Sequence, residues 1–322
     1  MPLPVVDELE HKPRRRLPEP TLRWLAGGAG DEITLADNDA AWRRVRLRPR
    51  VAIDVAEVST ATEVLGHTLA TPVLLAPTGR QRVLHADGEL ASARAASRAG
   101  TVFCCGMLST VGLHELAREG HSPRWQQLDV LRDRDYAARV IEAARSAGVD
   151  RLVLAVDRPV RGHRPRMADR ELPPGVAIAS HLGEEQAPRR AGRTIDPSLS
   201  WRDVEWVAGF GVPLTIKGVL TGRYALEALA RGADSVVSNH RARHLDGAVS
   251  TAAALADVAR SLGDPPGSSS TAACARAPTS SARSPSAPRP SSSVGPTSGG
   301  SPRGARKASP WSWTRSPMTS DK

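Results

Sequence analysis

The feature that most limits the fold of this chain is a rhythm of short apolar runs, each ended by a polar turn and followed by a helical pattern. Pro72 to Ala76 is an unbroken apolar run, and after a turn comes the alanine-rich stretch Gly88 to Ala99. Thr101 to Cys105 precedes a helix around Leu113 to Arg118, and Arg124 to Val130 precedes one over Tyr136 to Ala147. Arg151 to Val156 stops at Asp157, and Leu214 to Ile216 stops at Lys217 ahead of a helix over Tyr224 to Arg231. Ser235 to Val237 leads to His240 and then to a helix over Ala252 to Leu262. Short strands without polar alternation are buried on both faces, which calls for parallel strands covered by helices. Six such units in succession predict an α/β fold of the (β/α)8 barrel (TIM barrel) type rather than an open sheet.

The polar residues fall in phase. Thr78, Gln127, Asp157, Lys217 and His240 all sit at C-terminal strand ends, the face on which barrels assemble active sites. The densest stretch is Ser238 to Asp246, S-N-H-R-A-R-H-L-D. Within it His240 can serve as a base near neutral pH, and Arg243 can grip a carboxylate with two hydrogen bonds. A small anion that must lose a proton suits this stretch; a polar surface loop with a chance histidine is the plain alternative. The plain alternative for Asp157 and Lys217 is an ordinary ion pair, and for Arg164 a solvated side chain.

Residues 1–20 read as an irregular, proline-rich lead-in. Thr21 to Ala29 predicts a short helix, and a second helix carrying Trp42 has Thr34 or Asp37 as cap. Leu47 to Val55 alternates around a proline and predicts an edge strand or hairpin. Arg161 to Trp201 lacks periodicity and predicts a long, mobile lid over the strand ends. From Pro265 to Lys322 there is no Leu, Ile, Phe or Tyr, so residues 265–322 are expected to stay disordered. The barrel domain then spans 21–264 and lacks its last two βα units. That tail also holds eight Arg or Lys against one acid, so most of the net charge of +10 belongs to it. The body lacks the basic patch with interleaved aromatics that nucleic acid requires. Cys104 and Cys105 are adjacent and form no disulfide framework, and no metal-ligand spacing stands out. No apolar run approaches the roughly 20 residues that cross a bilayer, and the acidic, proline-broken start is unlike a signal peptide, so a cytoplasmic location is expected.

Eight segments carry a family resemblance: G-G-A-G-D-E-I-T-L, L-R-P-R-V, T-P-V-L-L-A-P-T-G, H-A-D-G-E-L-A-S-A-R-A-A, D-R-P-V-R-G-H-R, D-P-S-L-S-W-R-D-V-E-W, I-K-G-V and S-N-H-R-A-R-H-L-D. Running in this order from Thr21 to Gly263, they resemble the FMN-dependent α-hydroxy-acid oxidase and dehydrogenase family. The resemblance implies FMN as cofactor and oxidation of a small, lactate-like 2-hydroxy acid to the 2-keto acid. It makes His240 the base, Asp157 its orienting carboxylate, and Arg164 and Arg243 the grip on the substrate carboxylate. Pro77, Thr78 and Gly79 would contact the flavin ring through their backbone, with hydrogen bonds from Gln127 and Ser238. Lys217 would lie by the ring edge where negative charge develops on reduction. The electron acceptor is left open among oxygen, a quinone and a protein, and an intact barrel is expected to form a homo-oligomer.

Departures from the family pattern accompany the matches. Trp24 and Asp129 stand where the family has tyrosines, Gly106 where it has a serine, and Arg241 where a glycine follows the base. As an anion, Asp129 is expected to repel a carboxylate substrate. The family's two phosphate-binding turns, D-G-G-V-R and G-R-P, are absent. A one-base shift of reading frame restores both, from Ser270–Ala275 and Val294–Gly299, which predicts a frameshift between Leu262 and Ser268. The alternative to an enzyme is a non-catalytic remnant that binds FMN weakly or not at all.

Overall fold

The computed structural model describes residues 17–47, 49–119, 123–129, 131–160, 162–166 and 195–263, together with the backbone of 272–274 and 289–290. Helices α1 (Glu19–Ala26) and α2 (Ile33–Arg44) lead in. The apolar runs then form β1 (Leu75–Thr78), β2 (Phe103–Cys105), β3 (Arg124–Leu128), β4 (Arg151–Ala155), β5 (Leu214–Val219) and β6 (Ala233–Val237). These strands lie side by side in chain order, and every neighbouring pair is parallel. Each is followed by a helix, in turn α3 (Glu89–Ala99), α4 (Leu113–Leu116), α5 (Arg134–Ser146), α6 (Trp201–Ala208), α7 (Gly222–Ala230) and α8 (Thr251–Leu262).

Alternation along each strand sorts its side chains into two sets. Leu152, Leu154, Leu214, Ile216 and Val237 pack outward with Val140, Ile141, Val204, Val207 and Val258 in the main core. Burying each Leu or Ile there stabilises the fold by roughly 1.5–3 kcal/mol. Cys104, Trp125 and Val153 take the other phase and form a second cluster with Val64 and Leu69. The last two come from an antiparallel hairpin, Thr62–Val64 with His67–Leu69. Arg151, in the same phase as Val153, donates to Asp234 Oδ2 at 2.6 Å and Thr215 Oγ1 at 3.1 Å, tying β4, β5 and β6 together. Continued toward the C-terminal ends, this inner phase reaches Gln127, Asp157 and Lys217.

Among the described residues the sheet does not close. Its order runs from β1 at one edge to the three-residue strand β7 (Ala272–Cys274) at the other, and β7 is parallel to β6. The expected barrel is therefore present as an incomplete barrel. Within the tail two short segments have a described backbone: β7, and Arg289–Pro290, which pairs antiparallel with Val58–Ser59. The remainder of the tail, the lead-in 1–16 and residues 167–194 of the expected lid lie outside the described residues.

Local expectations needed correction in three places. Leu47–Val55 forms no strand among its described residues, because Pro49 cannot donate a ladder hydrogen bond and Val51 and Val55 remain exposed. The hairpin comes later, turning at Leu65 and Gly66, both with positive φ (49° and 84°) as a tight two-residue turn requires. Neither Thr34 nor Asp37 caps α2; Asp246 does so from a distant loop, accepting from the N–H groups of Asp31 and Thr34 at 2.9 Å each. An anion is favoured there by the helix dipole. Helix α6 was not anticipated, although Ser200 and Asp203 form a capping box at its start. Cys104 and Cys105 are free and buried. Among the described residues no helix is long and apolar enough to cross a membrane, and no group of three ligating side chains could hold a metal ion.

Candidate active site

Asp157 lies just past β4, and its approach to β5 depends on a missing side chain. Gly218 has φ +121°, and a Cβ there would lie 2.5 Å from the Asp157 Cβ. With that space open, Lys217 Nζ donates to Asp157 Oδ2 at 3.4 Å and His240 Nδ1 meets Asp157 Oδ1 at 2.8 Å. Ser238 joins through its hydroxyl, which donates to Asp157 Oδ2 at 3.5 Å and accepts from the His240 N–H at 3.1 Å. The short contact to a carboxylate assigns the ring proton to Nδ1, so the 3.3 Å approach of Lys217 Nζ to that nitrogen is a proximity of charge. This leaves His240 Nε2 as the acceptor.

The electrostatics agree with that assignment. Burial alone would raise the Asp157 carboxyl, but the Lys217 charge and the bond from His240 outweigh it and hold it well below the usual carboxylate range. Burial and the Lys217 charge push the His240 imidazole down, and Asp157 only partly offsets them. His240 is therefore neutral and able to accept a proton near pH 7. The plain ion pair of Asp157 with Lys217 is present too, inside the same cluster.

The turn that carries His240 is held in an unusual backbone conformation. His240, Arg241 and Ala242 all have positive φ, 54°, 54° and 56°. The Ala242 carbonyl accepts from the Ala29 N–H at 2.7 Å, and Asn239 exchanges amide hydrogen bonds with Asn38 on α2. His244 sets its ring edge-on to His240 with centroids 4.5 Å apart. Burial, with His240 and Arg158 nearby, takes His244 down to about 3, so it stays neutral. Sequence reasoning did not single it out, although it lies in the same H-R-A-R-H stretch.

The expected carboxylate grip collects at the C-terminal end of α1. Arg164 Nη2 donates to the carbonyls of Trp24 (2.7 Å) and Gly27 (2.8 Å). Arg243 Nη2 donates to the Leu25 carbonyl at 2.6 Å, and its guanidinium lies over the Trp24 ring, 5.7 Å from the centroid. Trp24 thus lines this site rather than the core. Burial, then the charges of Arg164 and Arg241, lower Arg243 to about 9.

The expected flavin-ring residues lie at the C-terminal strand ends, where two glycines let adjoining loops pack closely. Thr78 and Pro77 end β1, and Gly79 approaches Leu108 so closely that a Cβ would lie 2.7 Å from its carbonyl oxygen. A Cβ on Gly106 would meet the Gly79 nitrogen at 3.0 Å. Gln127 Oε1 accepts from the Met107 N–H at 2.9 Å. Both glycines let the chain after β1 pack against the chain after β2, and Gln127 and Lys217 stand at neighbouring strand ends.

Asp129 calls for a correction. It does not present a bare anion, because Arg158 Nη2 lies 3.2 Å from its Oδ2. Arg158 directly follows Asp157 and brings a compensating charge that the expectation of repulsion left out. One atom of each partner, Asp129 Oδ1 and Arg158 Nε, is buried without a hydrogen bond.

A parallel α/β barrel scaffold that carries a histidine–carboxylate dyad at its C-terminal strand ends is the arrangement of a barrel enzyme. The chain belongs to the FMN-dependent dehydrogenase family, whose profile matches residues 13–267. It is 39% identical over 270 residues to an L-lactate oxidase of Nostoc sp., covering 78% of this chain and 74% of that protein. It is 36% identical over 269 residues to the glycolate oxidase of Spinacia oleracea, covering 79% and 73%. Among solved structures, mandelate oxidase superposes with a TM-score of 0.73 at 34% identity, covering 81% of this chain and 76% of that one. A mutant of mandelate oxidase has been solved with the C4a-OH-FMN adduct, and FMN is the cofactor of this family.

Proposed function

We propose that this chain oxidises a small, lactate-like 2-hydroxy acid to the corresponding 2-keto acid. The observation that carries the reading is His240, tied through Nδ1 to Asp157 with Nε2 left as the acceptor, three residues before Arg243 in the chain. Arg164 and Arg243 hold the substrate carboxylate, which places the carbon bearing the hydroxyl next to the imidazole. His240 Nε2 takes the proton, and Asp157 stabilises the imidazolium that forms. When bound, FMN would accept the two electrons together with the second hydrogen that leaves the substrate. Pro77, Thr78, Gly79, Gln127 and Ser238 would hold its ring, and Lys217 would supply positive charge beside it. Anaerobic mixing of the flavin-loaded protein with lactate or glycolate should bleach the flavin absorbance and yield one keto acid per flavin. No bleaching with any small 2-hydroxy acid would remove the proposal.

The low-lying His240 gives this activity a pH signature. The rate of flavin reduction is expected to fall as pH drops through the His240 value, with the acid limb centred below the ordinary imidazole value of 6.5. A limb at or above that value, measured by stopped-flow absorbance, would show that burial and Lys217 do not govern the base.

A second reading, a remnant with little hold on FMN, is favoured by one observation: among the described residues the sheet ends at the three-residue β7. In barrels the phosphate of a ligand is commonly held by the loops after the seventh and eighth strands. On this reading the purified 322-residue chain should pass through gel filtration colourless and show no saturable quenching when titrated with FMN. Flavin co-eluting with the protein favours the enzyme instead. The proposed frameshift is tested by sequencing the coding DNA from Leu262 to Thr271, where an uninterrupted frame would dismiss it.

A further inference from the structure

We propose that His244 is a positioning residue for the base: its ring walls one side of the His240 imidazole and is itself held by the loop after β4. The inference rests on His240 acting as the base in the hydroxy-acid reading above, and adds a residue to that site.

The first observation is the contact between the two rings. His244 meets His240 edge to face, at 82° between planes and 4.5 Å between centroids, the close end of the range that aromatic pairs favour. Asp157 holds the His240 ring at one point, Nδ1. A hydrogen bond fixes that point; a second surface against the ring fixes its plane, and with it the direction of Nε2.

The second observation is that His244 is anchored in turn. Its Nδ1 accepts from the Gly162 N–H at 3.4 Å, which places its own proton on Nε2. Gly162 comes so close that a Cβ would lie 2.5 Å from the His244 Cα and carbonyl oxygen. A larger residue would push the loop away. The segment that begins at Asp157 and the turn that carries His240 therefore meet twice, once through the dyad and once through His244.

The wall also keeps water from the base. Charged groups face His240 from Asp157 past β4, Lys217 on β5 and Arg158 on the loop after β4. Arg241 and Arg243, on its own turn, donate to the Leu25 carbonyl. Burial is the largest influence on His240 and disfavours its charged form. His244 adds cover without adding charge, since it stays neutral.

The test is long-range proton–nitrogen NMR of the imidazoles in the full, nitrogen-labelled chain, the His240 signals being those lost in His240→Gln. In the parent His240 should carry its proton on Nδ1 and titrate below 6.5. His244→Ala removes the ring, and His244→Asn removes it while keeping an oxygen that can accept from Gly162. In both the His240 midpoint should move up toward 6.5. His244→Phe keeps a ring and should hold the midpoint at the parent value. In the flavin-loaded chain the acid limb of flavin reduction should move up in Ala and Asn but not in Phe. The rate above that limb should fall roughly two- to tenfold in Ala and Asn, the worth of one aromatic contact. An unchanged midpoint in both Ala and Asn, or a Phe midpoint as high as theirs, overturns the proposal. If the NMR shifts appear while no 2-hydroxy acid bleaches the flavin, the wall on His240 stands and the hydroxy-acid reading alone fails.

Discussion

Replacing Asp157 with asparagine is expected to destabilise the protein by roughly 3–5 kcal/mol, the usual penalty for leaving one member of a buried ion pair without its partner. Side chains of Asp157 and Lys217 are only 8% and 9% exposed, so water cannot replace the lost carboxylate. Asparagine can still accept from His240 Nδ1, but it cannot offset the ammonium. The pH dependence gives the claim a second handle. The Asp157 carboxyl lies lower in the folded chain than in the unfolded one, so its contribution is complete above the unfolded value and fades as pH falls through the folded value. The gap between parent and variant, measured by urea unfolding, should therefore be full at neutral pH and narrow only under strongly acidic conditions. Equal unfolding midpoints at neutral pH would mean that Lys217 finds another partner.

His240→Gln is expected to do the reverse, sparing the fold and removing the chemistry. The His240 side chain is 22% exposed, and glutamine can still donate to Asp157, so stability should change by about 1 kcal/mol or less. Losing a positioned base should slow flavin reduction by roughly 10²- to 10⁴-fold. Pyruvate affinity, which rests on Arg164 and Arg243, should remain within a few-fold of the parent. A rate loss smaller than tenfold in stopped-flow would remove His240 from the base role. Because one variant strikes stability and the other rate, the pair separates the structural share of the dyad from its chemical share.

Much of this arrangement was legible because it is local. Six apolar runs with helices between them had only one way to be buried, and all six strands are found parallel and in chain order. The polar residues at their C-terminal ends were legible for the same reason, since a period of two carries the inner phase from Val153 past Ala155 to Asp157. Less legible was anything joining distant segments. Asp246 was part of a motif, but nothing near it in the chain announces that it caps a helix 212 residues earlier. Asp129 read as a bare anion because Arg158 reaches it only once β3 and β4 lie side by side. Leu47–Val55 had the alternation of a strand and formed none, since alternation does not supply a neighbour with free hydrogen-bonding groups.

By itself, the sequence determined the alternating scaffold and the placing of Asp157, Lys217 and His240 at strand ends, because periodicity is a property of short stretches; the pairing of His240 with Asp157 was implied by the family resemblance. Tertiary structure decided which charges are neutralised and which accumulate. It set Asp157 against Lys217 through the space at Gly218, paired Asp129 with Arg158, and gathered three arginines on the last carbonyls of α1. The reason is that electrostatic energy depends on distance and burial, and both come into being only when remote parts of the chain are packed together.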